Sequence, residues 1–301
     1  MAPSQTDERR ANLIGSLWMI GAMACFAVED TLVKAAAQSM PLGQLLVLFG
    51  LGGAVIFAVV AQVTGTRLIS ADVLSRPMRV RVLFEVLGRL FYTLALALTP
   101  LSATTVILQA TPIVVVAGAA LVFGETVGPR RWTAIAIGLL GVLIILNPGA
   151  ESFSILSLLA VAGMIGFAGR DLASRAAPRS LGIAALGFYG FLALMVAGVL
   201  YAIYDGQPVV PLPPAAGLPL GGAIVIGTVA YASLMIAMRT GAVSAVTPFR
   251  YTRLLFGVAC GVVFFDEILS PATLLGGALI VLSGLVIIWR GRVRAQPMPR
   301  V

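Results

Sequence analysis

Within the long apolar stretch 243–265 the chain places Pro248-Phe249-Arg250-Tyr251-Thr252-Arg253. This run brings together two guanidinium groups three positions apart, a phenol and a hydroxyl. Arginine offers planar, permanently charged donors that match carboxylate or phosphate and stack on aromatic faces. A proline inside an apolar helix also leaves a carbonyl of the preceding turn free for a polar side chain or a ligand. Two uses follow from the residue types alone: contact with a polar ligand, or a lock onto an acid such as Asp171 or Glu85.

Three further acid–cation pairs stand at four-residue spacing, Asp30–Lys34, Glu85–Arg89 and Asp171–Arg175, which puts each pair on one helix face. Each is either a neutralising pair with a long cation reaching the membrane interface or a gate whose partners exchange. Arg81, four residues before Glu85, extends that stripe, and Arg89 is its deepest member. Ionisable groups inside a bilayer cost about 2.5–3.5 kcal/mol each on insertion scales, so their retention needs a reason. Gln109, with Thr104, Thr105 and Thr111-Pro112, makes a polar stretch that serves either helix–helix hydrogen bonding or cavity lining. Trp18, Tyr92, Tyr189 and Tyr231 are candidate aromatic walls, with packing as the plainer alternative.

The elements that must hold these residues are membrane helices. Of 301 residues 59% are apolar and 11% charged, and the mean hydropathy is +1.04; soluble domains carry about 25% charged residues. Apolar segments long enough for a bilayer fall at about 12–36, 41–63, 80–98, 101–123, 131–147, 153–177, 181–204, 217–239, 243–265 and 271–290. Met40-Pro41, Thr99-Pro100, Asn147-Pro148-Gly149, Gln207-Pro208 and Ser270-Pro271 punctuate them. Asp205 to Gly217, with four prolines, reads as a short stiff linker. The lysines and arginines outside the segments fall in the two tails and in alternate loops, with none in the first, third, fifth, seventh and ninth. That asymmetry predicts cytoplasmic termini at both ends.

The two halves repeat. Glu29-Asp30…Lys34 returns as Arg170-Asp171…Arg175, 141 positions on (171 − 30). Ser102-Ala103-Thr104-Thr105 and Glu125…Pro129 return as Ser244-Ala245-Val246-Thr247 and Glu267…Pro271, 142 positions on (267 − 125). The expected architecture is an all-α membrane protein of ten transmembrane helices in two units, 1–148 and 149–301. Five helices per unit invert the second copy and place Asp30 and Asp171 towards opposite faces, an arrangement suited to alternating access.

Several classes drop out. The chain has no histidine, and neither of its two cysteines has disulfide or metal spacing, so no metal site or cofactor is expected. The net charge of +8 flanks apolar segments as membrane topology requires, and nucleic acid is not an expected partner. No nucleotide-binding motif or nucleophile elbow is present, which argues against direct ATP use and against an enzyme. The expected partners are the lipid bilayer and a small-molecule substrate, the chain acting as monomer or homodimer.

Taken together the residues resemble the drug/metabolite transporter superfamily, in its EamA-type branch. The resemblance covers nearly the whole chain and rests on Asp30 with Lys34, Ala95-Leu96, Thr99-Pro100, Ala103-Thr104, Pro112, Gly124-Glu125, Arg131-Trp132 and Asp266-Glu267. The chain departs from the family pattern at Phe49-Gly50, where an arginine is common. The resemblance implies a carrier of small organic metabolites in the cell inner membrane, with a central cavity between the repeats. The Pro248-Phe249-Arg250-Tyr251 run is similar to that of members importing riboflavin or S-adenosylmethionine, so import of an aromatic or nucleoside-like solute is the leading expectation. Export of amino acids or related metabolites is the alternative, and a non-transporting membrane scaffold the rival from another class. The residues expected to bind substrate are Arg89, Tyr92, Gln109, Tyr231, Arg250, Tyr251 and Arg253. Gating or proton coupling is expected of Asp30, Lys34, Glu85, Asp171 and Arg175.

Overall fold

A computed structural model describes residues 5–123, 129–146, 155–178, 180–240 and 247–291. Regular structure among them is entirely helical. The helices of the first half are α1 (Gln5–Ala37), α2 (Leu42–Val63), α3 (Arg76–Leu98), α4 (Leu101–Leu108), α5 (Thr111–Phe123) and α6 (Pro129–Leu146). Those of the second half are α7 (Ser157–Arg175), α8 (Ile183–Asp205), α9 (Pro214–Thr240), α10 (Thr252–Phe265) and α11 (Pro271–Gly291). Proline starts most of them. Pro129, Pro214 and Pro271 are first residues, Pro41 and Pro100 stand at N-caps, and Pro77 and Pro112 occupy second positions. A missing N–H costs nothing there, and the fixed φ suits the first turn. Gly206, at φ 65°, closes α8 in the left-handed conformation that glycine adopts freely.

Among the described residues, helical stretches at Arg10–Ala37, Leu42–Val63, Ile183–Asp205 and Pro214–Ala237 are long and apolar enough by themselves to cross a bilayer. Two expected segments depart from a single helix. The fourth, 101–123, breaks between α4 and α5 at Gln109-Ala110. The ninth, 243–265, is described from a 3-10 turn at Thr247–Tyr251 that passes into α10. Pro112 explains the first break: with no N–H and a ring that crowds the preceding turn, it cannot continue α4. The two irregularities are equivalent in the repeat, since Gln109 and Tyr251 are 142 positions apart (251 − 109).

The halves interleave. The heaviest packing pairs α1 with α9, α3 with α7, α2 with α8, and α6 with α11; α1 also meets α10, as α7 meets α4 and α5. Exchanging the halves maps this pattern onto itself. Contacts within either half are slight, so neither half has a core of its own. Close approach depends on small residues. A methyl on Gly163 would lie 2.8 Å from the Tyr92 backbone nitrogen, and one on Gly141 would lie 2.7 Å from the Gly276 carbonyl oxygen. Along α3 and α7 the facing positions descend as the other ascends (Gly88 with Phe167, Tyr92 with Gly163), so the pair is antiparallel. Lys34, ending α1, reaches Leu96 and Thr99 at the end of α3, so α1 and α3 run parallel. The first helices of the two halves are therefore antiparallel.

The core is aliphatic and aromatic, with Phe49, Phe57, Phe191 and Tyr231 in mostly edge-on ring contacts between α2, α8 and α9. Large apolar side chains such as Val55, Val59, Leu200 and Ile203 face outward. This is the pattern of a helix bundle solvated by lipid.

Candidate functional site

α3 carries Arg81, Glu85, Arg89 and Tyr92 on one face, a rise of about 16 Å from first to last. Glu85 is the hub. Arg81 Nη2 lies 3.5 Å from Oε2, while Arg89 Nε and Arg170 Nη1 lie 3.4 and 3.3 Å from Oε1. Arg89 Nη1 continues to Glu29 Oε1 on α1 at 3.3 Å. Arg170 Nη2 continues to Asp171 Oδ1 at 2.9 Å, and Arg250 Nη1 meets Asp171 Oδ2 at 3.2 Å. Beyond Arg89, Arg253 Nη2 pairs with Asp30 Oδ2 at 2.6 Å, and Tyr92 Oη donates to the same oxygen at 2.9 Å. Among the described residues, five guanidinium groups thus share four carboxylates across α1, α3, α7, the 3-10 turn Thr247–Tyr251 and the start of α10. Glu29, Asp30, Arg81, Glu85 and Arg89 are buried and the other four are half-buried, and in such surroundings an unpaired charge is costly and each ion needs partners.

A cavity opens between these elements, with about 610 Å³ of atom-free space including its mouth. Arg89, Arg170, Asp171, Arg250 and Arg253 supply its charged wall. Met23, Phe26, Tyr92, Leu108, Phe167 and Leu234 supply its apolar wall, and Gln109, Thr111 and Pro112 line it at the helix break. The arginines are flattened on rings: Arg253 lies 4.9 Å from the Phe26 centroid and 5.6 Å from Tyr92, and Arg170 lies 4.8 Å from Phe167. Cation–π contact holds each guanidinium plane without using all its donors. The residue types of this wall suit a planar apolar body with polar acceptors on its edge.

Of the seven residues expected to bind substrate, Arg89, Tyr92, Gln109, Arg250 and Arg253 line this cavity. Tyr231 and Tyr251 are buried outside its lining. Tyr231 accepts a short hydrogen bond from Arg81 and donates to the Leu186 carbonyl at 3.3 Å, which makes it a packing partner of the network. Trp18 faces outward, 43% exposed, and Tyr189 donates to the Leu68 carbonyl at 3.0 Å. Of the four candidate aromatic walls, Tyr92 alone is among the lining residues.

The gating candidates also sort. Asp30 does not pair along its own helix with Lys34; its ion partner is Arg253, 223 positions away. Lys34 Nζ instead donates to the carbonyls of Leu96 (3.0 Å) and Thr99 (2.6 Å) and lies over the Phe265 ring at 5.3 Å. Desolvated carbonyls at the end of α3 are a better match for its ammonium than a carboxylate already held by an arginine. Beside it, Glu267 Oε1 accepts the Leu101 N–H at 2.6 Å and caps α4. Glu85–Arg89 does form, as part of a wider cluster. Asp171 pairs with Arg170 and Arg250. The side chain of Arg175 lies outside the described residues, as do Gly124-Glu125 and Asn147-Pro148-Gly149.

Sequence reasoning passed over Arg170, Phe26 and Phe167 as site residues, yet a signal was there. The duplicated motif is longer than its charges: Met23-Ala24-Cys25-Phe26-Ala27-Val28-Glu29-Asp30 matches Met164-Ile165-Gly166-Phe167-Ala168-Gly169-Arg170-Asp171. Each phenylalanine stands one turn before its aspartate and so shares its face. Glu29 and Arg170 hold equivalent positions with opposite charge, and α3 answers them with Arg89 and Glu85 respectively.

Comparison with known proteins agrees with this layout. A riboflavin transporter of Vibrio cholerae is 28% identical over 280 residues, 90% of this chain and 91% of its own length. One of Rhizobium johnstonii is 30% identical over 229 residues, 73% of this chain and 72% of its own length. A pseudopaline exporter of Pseudomonas aeruginosa is 25% identical over 276 residues, covering 89% of this chain and 94% of that protein. A solved crystal structure, 21% identical, shares the fold with a TM-score of 0.61 over 92% of this chain and 98% of the other. The EamA-like transporter family matches twice, at residues 13–147 and 154–289. Two consecutive matches that together span almost all of the chain place it in the EamA-like transporter family.

Proposed function

We infer that the protein is a secondary transporter of the inner membrane, importing a neutral or anionic heteroaromatic metabolite, with riboflavin the best candidate. Ten membrane-crossing helices in two inverted halves, both termini cytoplasmic, would carry it. The loop charges and the antiparallel relation of α1 to α7 support that topology. The carrying observation is the charge of the cavity network: among the described residues, five arginines against four acids leave an excess positive charge. A site of that sign disfavours a cationic solute, and its rings Phe26, Tyr92 and Phe167 suit a flat one. Substrate would bind between the halves, and Asp30 or Asp171 would exchange a proton as their arginine partners change.

Uptake of riboflavin into proteoliposomes containing the purified protein, with and without an imposed pH gradient, tests this reading. Saturable uptake above empty vesicles is expected; none at any gradient, with the protein shown to be folded, would overturn it. A second reading is export of amino acids or related zwitterions. It is favoured by Asp171, which gives the cavity an acid beside its arginines. Counterflow of preloaded amino acids in the same vesicles, without riboflavin uptake, would establish it.

A further inference from the structure

Two buried donors on residues that line the cavity have no hydrogen-bond partner among the described residues. Gln109 is 4% exposed and lines the cavity, and its Nε2 has no hydrogen-bond partner among the described residues. Arg253 gives Nη2 to Asp30 and Tyr92, but its buried Nε has no partner among the described residues. Leaving a buried donor unmade is unfavourable, and native proteins rarely do so without a functional reason. Both nitrogens can only donate, so what they lack is an acceptor.

The backbone points the same way. α5, 13 residues long, starts beside Gln109, and its first residues, Thr111 and Pro112, line the same space. A helix N-terminus carries partial positive charge, which again favours an acceptor. The break in the fourth segment is what puts this N-terminus and Gln109 in the cavity instead of inside a continuous helix. Phe26 and Phe167 stand on the same cavity and offer faces for a ring.

We propose that Gln109 Nε2 and Arg253 Nε bind the carbonyl edge of a planar heteroaromatic substrate, while its ring packs against Phe26 and Phe167. This rests on the heteroaromatic reading above and makes Gln109 the residue that selects carbonyl-edged rings.

The test uses riboflavin and its 2-thio and 4-thio analogues, in which sulfur, a weak acceptor, replaces one ring carbonyl oxygen. Binding to the full-length protein in detergent is measured for wild type and Gln109→Leu, with the ligand-free Tm of each. Wild type is expected to prefer riboflavin to at least one thio analogue by about tenfold, the scale of one buried hydrogen bond. Gln109→Leu should bind riboflavin about tenfold more weakly and lose the preference against the analogue altered at the carbonyl Gln109 contacts, since variant and analogue then remove the same interaction. Its ligand-free Tm should equal or exceed the wild-type value, because no bond within the chain is lost. Unchanged riboflavin affinity, retention of every analogue preference that wild type shows, or a Tm several degrees lower would each overturn the subsite while leaving the transport reading standing. Failure of wild type to bind riboflavin would remove the substrate reading and this subsite with it.

Discussion

Arg253 Nη2 stands 2.6 Å from Asp30 Oδ2, joining the start of α10 to α1 across 223 positions of chain. Asp30 is buried, and Arg253, half-buried, lies against the Phe26 and Tyr92 rings and lines the cavity. Breaking such a pair from one side leaves an uncompensated charge, at a cost of about 3–5 kcal/mol. Arg253→Ala should therefore abolish riboflavin uptake and sharply lower Tm in detergent. Removing both charges, as Asp30→Asn with Arg253→Gln, should recover most of the Tm but not the uptake. A double variant as unstable as the single one would show that the pair is not the coupling.

Glu85 neutralises three arginines, whereas Glu29 meets one. Glu85→Gln should be more destabilising than Glu29→Gln, by about 2 kcal/mol or more, since clustered guanidinium groups repel once their shared acid is gone. Comparing the Tm values of the two variants decides this, and equal losses would refute the hub role.

Gly163 gives the Tyr92 backbone room to approach, while a methyl on Gly21 would meet nothing within 4 Å. Gly163→Val should push α3 from α7, costing about 1–3 kcal/mol, and weaken substrate binding by displacing Tyr92. Gly21→Ala should be neutral or stabilising by up to about 1 kcal/mol. Tm and riboflavin affinity on both variants provide the comparison.

Glu267 and Lys34 tie the end of α3 and the start of α4 to α1 and α10. Replacing Glu267 by Leu should cost about 1–2 kcal/mol through loss of the α4 cap, and Glu267→Gln less, because an amide oxygen still accepts the Leu101 N–H. Lys34→Met should lower Tm and speed the transition that opens this end, read as a higher uptake rate at saturating substrate or as faster alkylation of a cysteine placed at Leu96. Unaltered behaviour of both variants would show that the junction is not a seal.

Much of the architecture could be read from residue order. Apolar runs near 20 residues and helix-starting prolines locate the segments, because lipid forces every backbone group into local hydrogen bonds. Arg250, Arg253 and Arg89 stood out because charge inside such runs needs a reason. Partner choice was not legible in the same way. Four-residue spacing suggested that Asp30 belonged with Lys34, but spacing along one helix says nothing about which neighbour competes. Arg253 wins because folding brings it closer and stacks it on two rings.

By itself the sequence determined a duplicated helical membrane chain with buried charge, since periodic hydropathy and breaker residues act locally. Only the tertiary structure decided that the halves interleave without separate cores, that Glu85 gathers three arginines, and that Tyr231 and Tyr251 fall outside the cavity. Those outcomes depend on which helix faces meet, and the meeting is set by small-residue contacts between segments far apart in the chain, such as Gly163 with Tyr92 and Gly141 with Gly276.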